Sequence, residues 1–126
     1  MKNVLYSMVI FAILLISVFY SINYLNKSCS NLESLDTKLE TLIEESSWDN
    51  AYATSLELMD DWDNYSKVIT IFVNHAEIDN INSELWKLTQ YTKFKNRDES
   101  MASVHTIKFY LGHIMDMEKV NMQNIL

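Results

Sequence analysis

The sequence has no proline and one glycine in 126 residues. These two residues supply most sharp turns, so their scarcity argues against turn-rich β sandwiches and barrels. A single cysteine excludes a disulfide framework within the chain and a cysteine-rich zinc site. Bases are scarce too. Ten Lys and Arg against seventeen Asp and Glu give a net charge of −7, which argues against nucleic acid as a partner. The length allows one domain and not two. Hydrophobic residues are 48% and charged residues 21%, so the chain is not a disordered tail.

What is present is unevenly spread. Val4 to Ile22 reads VLYSMVIFAILLISVFYSI, without a charge, between Lys2 and Lys27. As a helix it would span roughly 28 Å, close to the hydrocarbon thickness of a bilayer. Tyr6, Tyr20 and Tyr24 fall near its ends, where amphipathic aromatics favour the membrane interface. A cleaved signal peptide and a buried core helix are the rival readings. The run is longer than the apolar region of a signal peptide, and Tyr24-Leu25-Asn26-Lys27 is a poor cleavage site. An uncleaved anchor over residues 1–27 is therefore expected, with membrane lipid as its surroundings. Cys29 then reads as a juxtamembrane thiol; its lipidation is the alternative. Lys2 and Lys27 nearly balance across the run. The short N-terminal flank favours an inside N-terminus and a C-terminal part on the outer face of the cell membrane.

The remainder, 28–126, is long enough for one core, and its period is helical. Leu25, Leu32, Leu35, Leu39 and Leu42 continue the anchor to about Glu45 as a coiled-coil-like stripe. Ser46-Ser47 offers a cap for a second helix, about 47–73, with the stripe Trp48, Tyr52, Ser55, Met59, Trp62, Ser66, Ile69 and Val73. Asn74-His75-Ala76-Glu77 has capping-box form, with Val73 and Ile78 at the staple positions around it. A third helix with the stripe Ile78, Ile81, Leu85, Leu88 and Thr92 should follow, to about Phe94. Asn96-Arg97-Asp98-Glu99 repeats the cap pattern before a fourth helix carrying Val104, Ile107, Leu111 and Ile114, to about Lys119. Gly112 inside that helix suggests a close helix approach. A competing division breaks at Asp60-Asp61 and runs one helix from 61 to 95 through Val68, Ile71 and His75. Either way the expected fold is all-α: a transmembrane helix continuing into an antiparallel bundle of about four helices.

Charge is asymmetric. Ser28 to Asp63 holds ten acids and one base, Lys38, whereas Asn64 to the end is neutral and Lys2 and Lys27 add the two remaining positive charges. A solvated face explains this simply; a basic partner is the functional alternative. Catalytic chemistry finds little purchase. No Glu precedes His75, His105 or His113 by three residues, so the di-iron bundle motif is absent. His75 with Asp79 and His113 with Asp116 have one-turn spacing, which fits metal or a simple pair. Phosphate loops and nucleophile elbows are missing. No enzyme activity, cofactor or metal site is expected. The aromatic residues Trp48, Trp62, Tyr65 and Trp86 read as core or as a partner surface. With His75 and Asp79 they form the candidate interaction surface, for another membrane protein or a second copy.

An ordered set of features carries a resemblance. It comprises the MKNVLYSMVIFAILLISVFYSINYLNKSC segment, Trp48-x-x-Ala51, Trp62, His75-Ala-Glu-Ile-Asp79 and Asn124-Ile125-Leu126. The chain resembles the domain of unknown function 4363 family of short, N-terminally anchored proteins of Clostridium-like spore formers. The resemblance implies a membrane-associated accessory role, often beside a small multi-span membrane protein, and no catalytic residues. The reading expected overall is a non-enzymatic, single-span envelope protein that binds a partner; a ligand-sensing bundle is the alternative.

Overall fold

A computed structural model of the chain describes residues 1–70 and 73–125, with side chains described as far as 117. Four helices follow one another: α1 Lys2–Glu44, α2 Trp48–Ile69, α3 His75–Lys93 and α4 Arg97–Ile125. Each packs on its neighbours in sequence, and α4 closes the ring against α1. The direction is up-down-up-down. Along α1, Cys29 meets Leu111 of α4 and Glu40 meets His105, so these two helices run antiparallel.

The expected all-α bundle forms, with α1 unbroken from the apolar run into the core. The break expected in the competing division at Asp60-Asp61 does not occur, because both residues lie inside α2. Two boundaries differ from expectation. α2 ends at Ile69 and not near 73, and α4 continues to Ile125, six residues beyond Lys119. Of the positions used above, Ile71 and Leu126 lie outside the described residues.

The chain turns corners without glycine. Ser46 and Lys95 take positive φ, 57° and 59°. At the first corner Ser47 N–H bonds the Leu42 carbonyl (2.9 Å) and Ser46 N–H that of Ile43 (3.0 Å). At the second, Asn96 N–H bonds Tyr91 (2.9 Å) and Lys95 N–H bonds Thr92 (3.2 Å). Both are Schellman endings, which normally place glycine at the left-handed position. Asn96 then caps α4, accepting from the Glu99 amide at 3.2 Å. Asn74 caps α3 differently from the expected box. Its side chain accepts from Ala76 N–H (3.1 Å), and Glu77 turns to His113 of α4, 3.7 Å away.

The buried stripes follow 3-4 spacing. On α3 and α4 they are the expected residues: Ile78, Ile81, Leu85, Leu88 and Thr92 face Val104, Ile107, Leu111 and Ile114. On α2 the expected Ser55, Trp62, Ser66 and Ile69 are buried, as is Val73 beyond the helix end, but the buried face is wider and takes in Ala51, Thr54, Leu58 and Tyr65, while Tyr52 is only half-buried. Trp48 and Met59 flank this face half-buried. On α1 the stripe is Leu25, Cys29, Leu32, Asp36, Leu39 and Ile43, while Leu35 and Leu42 sit at its edge. The expected close approach at Gly112 is absent: a Cβ there would meet nothing within 4 Å.

The N-terminal half of α1 is long and apolar enough to cross a membrane, and none of its most apolar stretch is buried within the protein.

Candidate functional site

A core position on α1 is held by an ionisable residue. Asp36 lies four residues after Leu32 and three before Leu39, so the helix turns it inward with them. It is 0% exposed, and neither carboxylate oxygen has a hydrogen-bond partner. On α4, the Ser100 hydroxyl is likewise buried without a partner. Other buried hydroxyls have partners, within their helix or across to another, as Ser103 donating to Glu84 of α3 at 3.1 Å. Thr92 donates to the Leu88 carbonyl (2.9 Å) and lies 3.3 Å from Ser55 of α2, and Thr89 donates to Trp86 (2.6 Å).

Burial disfavours the charged form of Asp36 and raises its pKa from 3.8 to about 7. The Lys108 ammonium on α4 works against this, while Glu40 and Glu33 on α1 push it further up. Lys108 is shared, because its Nζ also lies 3.8 Å from Glu40, which takes His105 Nε2 at 3.3 Å. The α1–α4 seam therefore combines a buried proton-binding carboxyl with a half-exposed charge cluster at its rim. Such a group can take up or release a proton near neutrality, inside the bundle on the α1–α4 seam.

The acidic block is otherwise largely solvated. Asp60, Asp61 and Asp63 are exposed, and Asp63 pairs with Lys67 at 3.3 Å. The Asp61 carboxyl is raised by partial desolvation and by Glu57 and Asp60. Among the described residues no three His, Cys, Asp or Glu side chains are grouped to hold a metal ion.

The sequence-derived surface residues do not stay together. Trp62 and Tyr65 are core residues, with ring centroids 5.8 Å apart, and Trp62 Nε1 donates to Asn82 at 2.7 Å. Trp48 is half-buried at the start of α2, whereas His75, Asp79 and Trp86 are exposed on α3. Trp86 is 60% exposed, and Phe94 and Phe109 are exposed as well. Cys29, expected as a juxtamembrane thiol, is buried in the core, its thiol donating to the Leu111 carbonyl at 3.8 Å. His113 pairs with Glu77 across the α3–α4 seam instead of its one-turn neighbour Asp116.

Residues 19–125 match the family described as Domain of unknown function (DUF4363). The chain belongs to this family. The DUF4363 match begins inside the apolar run, at the last turns before the bundle, and takes in the whole bundle. The unbroken passage from apolar helix to core is thus within the matched domain. No curated protein and no solved structure matches the chain.

Asp36 was missed as a site because it reads as one acid among ten. The signal was its place in the stripe: seven residues from Cys29 and seven from Ile43, on the buried face of α1.

Proposed function

We propose that this DUF4363 protein is a non-enzymatic, single-span membrane protein whose bundle, on the outer face of the cell membrane, binds another envelope protein or a second copy of itself. The observation that carries the reading is the exposure of Trp86, 60%, on a helix whose other large apolar residues are buried. Tryptophan is enriched at protein interfaces, and hot spots concentrate on it. His75 and Asp79 lie on the same helix, also exposed. The anchor supports the reading too, since the fully exposed apolar stretch of α1 needs lipid around it.

The ligand-sensing reading has less support. Two of its aromatic members, Trp62 and Tyr65, are packed in the core, and the Trp62 N–H is already satisfied by Asn82.

Cross-linking in native membranes, followed by gentle solubilisation and sizing, tests the proposal. A discrete adduct that weakens on Trp86→Ala supports it. A monomer that captures no partner, with the bundle intact, sinks it.

A further inference from the structure

Two contacts fix which sides of α2 and α3 meet. Trp62 Nε1 donates to Asn82, and the Ser55 hydroxyl lies 3.3 Å from that of Thr92. Asp79 and Trp86 stand three residues before and four after Asn82, and Lys93 seven after Trp86, so all three lie on the α2 side of α3. All three are exposed, and they form one outward row beside the α2–α3 seam. α2 carries a matching row. Leu56 follows Ser55 and is 39% exposed, and Asp49 and Asp63 stand seven residues on either side of it, also exposed. Met59, one turn on from Ser55, is half-buried beside it.

The two rows run antiparallel. Counting from the two contacts sets Lys93 within about a turn of Asp49, Trp86 between Leu56 and Asp63, and Asp79 level with Lys67. From the α1–α2 corner downward, α2 thus presents acid, apolar, base: Asp49, Leu56, Lys67. Over the same height α3 presents base, apolar, acid: Lys93, Trp86, Asp79. One row is the charge-reversed image of the other. The wider sequence has the same asymmetry. Eight acids and no base lie between Lys38 and Lys67, whereas Leu85 to Arg97 holds four bases and no acid. Within the chain these groups are weakly engaged. Lys93 lies over the Phe94 ring at 5.9 Å, and Lys67 holds Asp63 at 3.3 Å with both side chains about two-thirds exposed.

We propose that the α2–α3 face is a two-fold interface between two copies of this chain, standing side by side with the axis along the membrane normal. This rests on the function proposed above, with α1 as the span, and names the partner as a second copy. Anchors in one membrane hold both copies upright at one height. About such an axis, α2 of each copy meets α3 of the other at that height. Trp86 then packs on Leu56 and Met59 of the second copy, Lys93 meets its Asp49, and Asp79 meets its Lys67. The contact is isologous, so each pair occurs twice and the assembly closes as a dimer. Large apolar residues take the centre and exposed charges the rim, where they set register more than affinity.

The test uses two differently tagged full-length chains, both Cys29→Ser, co-expressed in membranes and treated with a short bis-maleimide. One carries Asp49→Cys and the other Lys93→Cys. A doubly tagged dimer is expected, and Phe109→Cys on α4 paired with Lys93→Cys should give several-fold less. In mild detergent Lys93→Glu should weaken association about ten-fold, because each reversal counts twice. Combining Lys93→Glu with Asp49→Lys in one chain should restore most of it. Both positions are exposed, and an unchanged helical signal verifies the fold of each variant. A swap that restores nothing, or cross-linking through Phe109 as readily, overturns the inference. If the chain is monomeric but a different protein is captured and lost on Trp86→Ala, the inference fails and the proposed function stands. A monomer that captures nothing sinks both.

Discussion

Replacing Asp36 with asparagine tests the buried carboxyl. In the folded chain its pKa is raised from 3.8 to about 7. The folded state therefore binds this proton more tightly than the unfolded state. Between about pH 4 and about pH 7 the native protein holds more protons, so its stability falls as pH rises through that window. Below the window both states are protonated and the contribution is complete; above it both are ionised and no more is lost. A difference of about three pH units corresponds to about 4 kcal/mol across the window. That is a large share of the about 5–15 kcal/mol typical of a domain. The assay is urea unfolding of the full chain in mild detergent, followed by helical circular dichroism at several pH values. Asp36→Asn should remove this slope, leaving only what the other carboxylates and histidines contribute. The variant should gain on the parent as pH rises and be the more stable at about pH 8. Parallel curves for parent and variant, or a parent that gains on the variant with rising pH, would refute the reasoning.

Three other substitutions follow from the geometry. Gly112→Ala should raise stability by about 1 kcal/mol, because the added methyl meets open space and helix propensity improves; a loss in the same urea assay would mean the helix packs more tightly there. Lys95→Gly should likewise gain about 1 kcal/mol by relieving the left-handed corner at φ 59°, whereas Lys95→Val should lose stability. Trp62→Ala should cost about 3–5 kcal/mol by leaving a cavity and losing the bond to Asn82, while Trp86→Ala should leave the unfolding midpoint nearly unchanged.

Sequence periodicity gave the bundle its outline, for reasons visible in single residues. On α3 and α4 the stripe residues are nearly all aliphatic, so spacing and burial coincide. On α2 the spacing marks the polar Ser55 and Ser66 as core, but the small Ala51 and the adjacent Leu58 and Tyr65 are buried as well, where large Trp48 and Met59 had stood for them. On α1 the leucines Leu35 and Leu42 drew attention from Cys29 and Asp36, which fill the same stripe. Composition marks where apolar residues are, whereas a bundle buries positions, and a polar residue at a core position is invisible to a hydrophobicity count. The caps were half-legible for a similar reason. Asn96 binds the expected amide, but the Glu77 carboxylate pairs with His113 of another helix, a contact no local pattern announces. The aromatic surface divided because period alone does not say which side of a helix meets its neighbours.

In the proposed function α1 serves both as the membrane span and as the first helix of the bundle. Proteolysis of intact cells carrying a C-terminal tag tests this most directly, with the membrane pellet washed in carbonate afterwards. The prediction is that the tag is lost in intact cells while an N-terminal fragment stays in the washed membrane. A tag protected until the cells are broken, or a bundle released intact into the soluble fraction, would contradict it.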